Sequence, residues 1–545
     1  MALAHKPDGG PANMADAAPQ RLARAATLMA VATVASRVLG LAREVVAAAL
    51  FGATNAKAAY VIAYYLPFFV QRLLLGGTLS IVFIPTISRY LARGEHAEAR
   101  RISANLFTLV LLLGMGMVVV GQLIAPLIVP LAAPGFTASP GLVSLAVELT
   151  RIIFVAMVFL ALSVYVTGYL QAHNSFTVPA VAPLLFNGVI IAGTVILGTR
   201  YGIHGLAVSW IFGTAAQFLV QLPAAWRLGL RFGPADLRHP AIRGLARLAV
   251  PAMLGLAIVE INAYVDRFFA SFLPVTAATN PVAVLDYAYE VVQAPAGIFA
   301  ISIATAIFPL LAAHAATDAR EELRTTAMLA LRTLLVIILP ISALAVAARE
   351  PLIGLLFERG MFTGSATQGV AAAAAAYALG LPAIAAYYVV TRAYYALQDM
   401  ATPVRIGVVM ILLNAGLDYV LMRVWGAAGI ALATSIVATA NVVTLLYLLR
   451  SRLGGVEGIG VGSTTVRAGG AAIVSGLVIS AALRLAAGPA GSLGGMGRLV
   501  ELGAAAAAGG AAYLVLCRLL GIRELSDAWA MVVRRSMPRV PGGLR

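Results

Sequence analysis

The stretch LQDMATPVRIGVVMILLNAGLDYVLMRVWGAAGIALATS, residues 397–435, decides the fold, because its landmarks occur about 225 residues earlier in LQAHNSFTVPAVAPLLFNGVIIAGTVILGTRYGIHGLA, residues 170–207. In the later copy Leu397-Gln398 precedes Pro403, then Asn414, then Gly426-x-x-Gly429-Ile430-Ala431. In the earlier copy Leu170-Gln171 precedes Pro179, Asn187 and Gly202-x-x-Gly205-Leu206-Ala207. Nearer the start of each half stands a charged pair, Arg43-Glu44 or Asp266-Arg267, followed by a Pro-interrupted run ending in Phe83-Ile84-Pro85 or Ile307-Phe308-Pro309. One such spacing is ordinary in membrane helices, where small residues permit close packing. Several landmarks in one order identify an internal repeat.

The chain around this repeat is 61% hydrophobic and 11% charged over 545 residues, with mean hydropathy +0.93. A soluble domain carries roughly 25% charged residues, so an ordinary cytosolic enzyme is excluded. Apolar runs near the roughly 20 residues that cross a bilayer begin near residues 25, 57, 103, 143, 178, 203, 246, 284, 324, 365, 402, 426, 465 and 498. The expected fold is therefore all-α, a polytopic membrane protein of about 14 transmembrane helices, its fourth and tenth runs long enough to tilt or protrude. Two pseudo-symmetric six-helix lobes plus two extra C-terminal helices account for the repeat. Six is even, so both lobes enter in one direction and are related by an axis along the membrane normal.

The expected division is a cytoplasmic N-terminal tail at 1–24, an N-lobe at 25–230, a basic cytoplasmic linker at 231–245 and a C-lobe at 246–452. Helices thirteen and fourteen follow at 453–521, then a cytoplasmic tail at 522–545. The N-terminal tail lacks an apolar core followed by a small-residue cleavage site, so insertion is expected through a retained first helix. The formal charge of +16 is not a nucleic-acid footprint, since the cations fall in small groups between spans. About 25 of the 38 Lys and Arg collect on one side against about seven on the other, and the positive-inside rule makes that side, with both termini, cytoplasmic. Arg89, Arg93, Arg100, Arg101, Arg227, Arg231, Arg238, Arg243 and Arg247 belong to it.

Enzyme chemistry finds no support. The lone Cys517 allows no intramolecular disulfide or cysteine metal cluster. His5, His96, His173, His204, His239 and His314 form no HxxxH pair, and no P-loop or GxSxG occurs. Binding of nucleic acid or nucleotide is accordingly not expected. Charges inside spans mark sites, because each costs at least roughly 2.5–3.5 kcal/mol at the bilayer centre. They are Arg37, Arg43, Glu44, Arg72, Arg151, Glu260, Asp266, Arg267, Asp286, Glu290, Arg392 and Asp418.

Arg37 and Arg43 stand six residues apart, about 9 Å along a helix, and Arg72 follows Pro67. Their guanidinium forks suit the oxygens of an anionic, phosphate-bearing head group; a charge network with Glu44 that holds helices together is the alternative. Asn414 and Asp418 are i and i+4, hence on one helix face, with Thr434 on the next helix and Asp266 from the start of the second half. These hard oxygen ligands fit a Na⁺ or a proton, and equally an interhelical hydrogen-bond network.

In SRVLGLARE (36–44), FGA (51–53), QAPAGIFAISIATAIFP (293–309), LLFERGMFT (355–363), YALGLPA (377–383) and RAYYALQDMATPV (392–404), with Asn414 and GAAGIALATS (426–435) after them, the chain resembles the MurJ (MviN) family of lipid II flippases. That family lies in the multidrug/oligosaccharidyl-lipid/polysaccharide transporter superfamily. The resemblance implies fourteen helices, two lobes around a cationic cavity, and a lipid-tail groove formed by helices thirteen and fourteen. It implies a transporter in the bacterial cytoplasmic membrane that flips undecaprenyl-pyrophosphate-linked muropeptide, lipid II, from inner to outer leaflet by alternating access, among membrane lipids and without a cofactor other than a Na⁺ or H⁺ coupling ion.

Residue by residue, the family's first cavity arginine matches Arg43, with Glu44 for its usual Asp neighbour and Arg37 retained. Its second matches Gln71, beside Arg72, and its third matches Glu290, a reversal of charge. The usual acid after FGA is Ala58, and a Glu-Gly pair becomes Gly76-Gly77. The family's sodium site matches Asp266, Asn414, Asp418, Thr434 and, through its carbonyl, Ile430. The rival readings are a flippase for another polyprenyl-linked glycan, a cation/drug antiporter of the same superfamily, and, from a different class, a lipid-modifying transferase or a scaffold.

Overall fold

The computed structural model describes residues 11–71, 83–240, 242–243, 261–276, 278–453, 460–486 and 494–522. Among them the regular structure is helical: α1 (Pro11–Phe51), α2 (Asn55–Gln71), α3 (Ile84–Ala92), α4 (His96–Ala132), α5 (Pro140–Ala172), α6 (Thr177–Tyr201), α7 (Ile203–Leu219), α8 (Leu222–Arg227), α9 (261–270), α10 (Pro281–Pro295), α11 (Ile301–Ala316), α12 (Arg320–Ala347), α13 (Arg349–Phe357), α14 (Gly364–Ala396), α15 (Ala401–Arg452), α16 (Val461–Ala486) and α17 (Gly494–Leu519). Ten helices among the described residues are long and apolar enough to cross a membrane. One of these, α15, carries two of the expected spans, because its 52 residues bend at Gly426. The chain is thus an all-α, multi-pass membrane protein. Of the fourteen expected span starts, only that near 246 lies outside the described residues.

The repeat has a backbone signature. Gly202 ends α6 at φ 59°, ψ −142°, and Gly426 breaks α15 at φ 56°, ψ −132°; a side chain is disfavoured at such positive φ. Three residues on, a Cβ on Gly205 would lie 2.2 Å from the Leu197 carbonyl oxygen, and one on Gly429 would lie 2.1 Å from that of Leu421. The GxxG spacing therefore reverses the chain and lets the next helix pack backbone to backbone. The Asn174 and Gln398 turns that open the two copies also match, each at φ 57°.

The spans expected to be long are α5 and α14, both 33 residues, or about 50 Å at 1.5 Å per residue. The third span is longer, since α4 runs 37 residues and takes in the polar turn around Arg100 and Arg101. Likewise α1 begins at Pro11, inside the expected tail. In the linker, 231–236 is irregular, and residues 246–260 and 523–545 lie outside the described set.

Contacts group the chain into two units: Met1–Arg43, Pro67–Leu123 and Arg151–Met253 form the first, and Glu44–Leu66, Ile124–Thr150 and Leu254–Arg545 the second. In the first, Phe83, Phe107, Tyr165, Tyr169 and Phe218 build an aromatic-rich core. The Tyr165 hydroxyl donates to the Ser103 carbonyl at 2.7 Å, so the burial leaves no dangling polar tip. In the second, α14 is packed by α12 and α15, and α16 joins α12 and α17. There Asn280 caps α10 by accepting from the Val282 amide at 3.0 Å, while its own amide donates to Ala53 at 2.7 Å and the Met361 amide donates to Ala49 at 2.9 Å. These bonds fix the α1–α2 turn to the start of α10.

Candidate functional site

Within the second unit, four charged side chains from four helices alternate in sign. Lys57, on the first turn of α2, is 1% exposed; its Nζ lies 2.8 Å from Glu44 on α1 and 3.2 Å from Asp286 on α10. Asp286 in turn lies 3.5 Å from Arg267 on α9. Arg267 also donates to the Ala263 carbonyl at 2.8 Å and to the Tyr65 hydroxyl, and its guanidinium carbon sits 4.0 Å from the centroid of the Tyr65 ring. The ladder Glu44–Lys57–Asp286–Arg267 sums to zero charge, which is how buried ions are tolerated. Glu44, expected near a head group, is engaged here instead. Lys57 was missed because it stands at the edge of an apolar run, where a lysine ordinarily reaches out to the interface.

The second cluster is the one the spacing anticipated. Asn414, wholly buried, donates from one nitrogen to Asp266 and to Asp418, both at 2.9 Å. The Thr434 hydroxyl donates to the other Asp266 oxygen at 2.9 Å, and the Tyr377 hydroxyl to the same oxygen at 3.1 Å. Ile430 is fully buried just beyond the Gly426 bend. Asp266, Asn414, Asp418 and Thr434 are brought together, and Tyr377 joins them with no spacing signal to announce it. Asp418 Oδ1 and Asn414 Oδ1 are buried acceptors without a hydrogen-bond partner. Buried acceptors are rarely left unpaired; two orphaned oxygens beside two carboxylates fit a hard monovalent cation. Among the described residues no group of three or more His, Cys, Asp or Glu is placed so that it could hold a metal ion.

In the first unit, the Arg43 guanidinium donates to Asn187 Oδ1 at 3.5 Å and lies 5.4 Å from the Trp210 ring centroid. Arg37, on the same helix, is exposed. Arg151 and Gln122 exchange side-chain bonds to each other's carbonyls, at 3.1 and 2.8 Å, joining α5 to α4. Glu290 is half-buried on α10. Arg392 stacks 5.4 Å from Phe308. Arg72, Gly76, Gly77 and Glu260, and the side chain of Gln71, lie outside the described residues.

Two cavities open in the second unit. One of about 240 Å³ touches Asp266 and Thr434 and is walled by Tyr289, Tyr387, Tyr388 and Asn441. Another, of about 840 Å³, runs along α16 from Gly469 to Arg484 between α12 and α14, with Arg349 and Glu350 at the Arg484 end.

A multi-pass helical chain with an internal repeat and a buried cluster of oxygen ligands between its helices has the architecture of a membrane transporter. The family model described as "Lipid II flippase MurJ" matches residues 47–493. The chain belongs to the MurJ family. The lipid II flippase MurJ of Burkholderia cenocepacia is 30% identical over 431 residues, covering 77% of this chain and 82% of that protein. The probable lipid II flippase MurJ of Vibrio cholerae is 29% identical, covering 78% and 82%. Among solved structures, a lipid II flippase MurJ in an inward closed conformation superposes with TM-score 0.74 at 25% identity, covering 90% of this chain and 98% of that one. An inward-facing multidrug resistance MATE family transporter of the MOP superfamily shares the fold, with TM-score 0.63 at 15% identity over 77% of this chain and 95% of that one.

Proposed function

We propose that this protein flips the undecaprenyl-pyrophosphate-linked peptidoglycan precursor, lipid II, from the inner to the outer leaflet of the bacterial cytoplasmic membrane, with both termini cytoplasmic. The observation that carries the reading is the family match across residues 47–493. Arg43 and Arg37 are the cations assigned to the pyrophosphate, since a guanidinium keeps its charge in the membrane and matches phosphate oxygens with two parallel donors. Translocation needs no bond to be made or broken; it needs two lobe arrangements with different affinity for the lipid. The polyprenyl tail is assigned to the groove along α16, whose apolar wall and small residues Gly469, Ala472 and Gly476 leave room for a chain. The cavity's lining includes no residue of α17.

Asp266, Asn414, Asp418, Thr434 and the Ile430 carbonyl would hold a coupling Na⁺, which would offset one of the two negative charges of the adjacent buried carboxylates; a proton on either acid is the alternative coupling species. The experiment is rescue. Expressed in bacteria depleted of their own lipid II flippase, the chain should restore survival and outward-facing lipid II. Failure with the protein folded and inserted would favour the second reading, a flippase for another polyprenyl-linked glycan. That reading rests on Gln71 and Glu290, which stand where the family resemblance places arginines.

A further inference from the structure

The repeat puts an asparagine on the helix before each glycine break, Asn187 on α6 and Asn414 on α15, and both are hydrogen-bond hubs. Asn414 serves two carboxylates. The Asn187 amide nitrogen donates to Ser36 Oγ at 3.3 Å and to the Pro183 carbonyl at 3.1 Å, and its oxygen accepts from Arg43. Arg43 has only donors, so that oxygen must face it. The two hubs differ by about one helical turn, 15 residues before Gly202 against 12 before Gly426. In either register the first copy lacks acids, because neither α6 nor α7 contains an Asp or Glu. Eight residues after Gly426 stands Thr434, which binds Asp266; eight after Gly202 stands Trp210, which faces the Arg43 guanidinium. Phe68 and Phe186 meet Trp210 edge-on at 5.4 and 5.2 Å and fix its plane.

We propose that the first unit's hub is a cation site filled permanently by a side chain, in which Asn187 and Trp210 are positioning residues that aim the Arg43 guanidinium at a phosphate head group. Where the second hub gathers carboxylates around an exchangeable cation, the first holds a tethered one. The 3.5 Å bond to Asn187 is at the weak end for a hydrogen bond, so a phosphate oxygen, with a stronger charge-assisted bond to offer, displaces it readily. The Trp210 face then keeps the guanidinium plane oriented while the amide lets go. This inference rests on the assignment of Arg43 to the lipid's pyrophosphate.

The test compares wild type with N187A, W210A and W210F in proteoliposomes for lipid II flipping, and in detergent for binding of inorganic pyrophosphate by calorimetry. Losing a weak bond or a cation–π contact should raise the half-saturating lipid concentration and the pyrophosphate Kd roughly fivefold, by more than the maximal rate falls. W210F, which keeps a ring face, should recover most of the loss. Stabilisation by Na⁺, which belongs to the other unit, should stay at the wild-type value and certify the fold. The proposal is overturned if N187A and W210A retain Na⁺ stabilisation yet bind pyrophosphate as wild type does, or if wild type does not bind it. If wild type binds pyrophosphate in this pattern but does not flip lipid II, the substrate assignment fails and the positioning role stands.

Discussion

Lys57 and Asp286, from helices more than 220 residues apart in the chain, form an ion pair of 3.2 Å with each side chain less than a tenth exposed. Glu44 completes the coordination of the ammonium on its other side. A buried pair of this kind adds little over apolar packing, but breaking it strands a charge, at about 3–5 kcal/mol. Lys57→Met should therefore lower the stability of the purified protein by that amount, read as a fall in its unfolding midpoint. Adding Glu44→Gln should return much of the loss, because Asp286 keeps Arg267. A K57M variant as stable as wild type would show that the ladder is not sealed from water.

Asp418→Asn keeps the shape of the side chain and removes a charge from the ion pocket. Wild type should gain on the order of 2–3 kcal/mol when Na⁺ is raised to a hundred times its Kd. The D418N protein should fold, lose that gain and lose Na⁺-dependent flipping. A thermal shift that persists in D418N would place the ion elsewhere.

Gly429→Ala tests the bend. Its Cβ would meet the Leu421 carbonyl oxygen at 2.1 Å, so the two arms of α15 must separate, displacing Ile430 and Thr434. We expect a loss of about 1–3 kcal/mol together with weakened Na⁺ stabilisation. Gly416→Ala, on the same helix with open space around it, should leave both within about 0.5 kcal/mol.

At the α14–α15 turn, burial pushes the Asp399 carboxyl up, but bonds from Thr402 and the Arg452 charge outweigh it and hold the pKa below the usual carboxylate range. Arg452 stands 2.7 Å away. A lowered folded pKa means that the stabilisation is present above the unfolded value, about 3.9, and fades as pH falls through the folded one. Asp399→Asn should lower the melting temperature at pH 7, by no more than about 1 kcal/mol of stability for a half-exposed pair. The gap should close towards pH 3; a gap that widens in acid would contradict the assignment.

Much of this was legible in the sequence, for reasons particular residues make plain. Gly202 and Gly426 announce their turns because a positive φ and a close helix approach both demand glycine. Asp266, Asn414, Asp418 and Thr434 could be grouped because Asn414 and Asp418 are one helical turn apart, Asp266 opens the second half, Thr434 follows on the next helix, and the family's sodium site matches the same positions. What spacing could not give was pairing across distant segments. Nothing in the order of residues says that Glu44 turns to Lys57 while its neighbour Arg43 turns to Asn187, since consecutive helical positions point about 100° apart and each answers to a different set of helices. Tyr377 and Trp210 were hidden for the same reason, as aromatics in apolar runs look like packing until a charged atom is found against them.

The zero sum of the Glu44–Lys57–Asp286–Arg267 ladder has an electrical consequence. A displacement of those four charges together along the bilayer normal does no net work against the membrane voltage. The Asp266–Asp418 pair has no basic residue among its direct hydrogen-bond partners, and moving it through the field costs or yields roughly 2.3 kcal/mol per elementary charge per 100 mV. An inside-negative voltage pushes ionised carboxylates outward, and a cation bound between them would remove one elementary charge of that force. Under the ion-coupling proposal the field would grip the pocket and slide past the ladder, so that occupancy of one pocket would set how strongly voltage is felt.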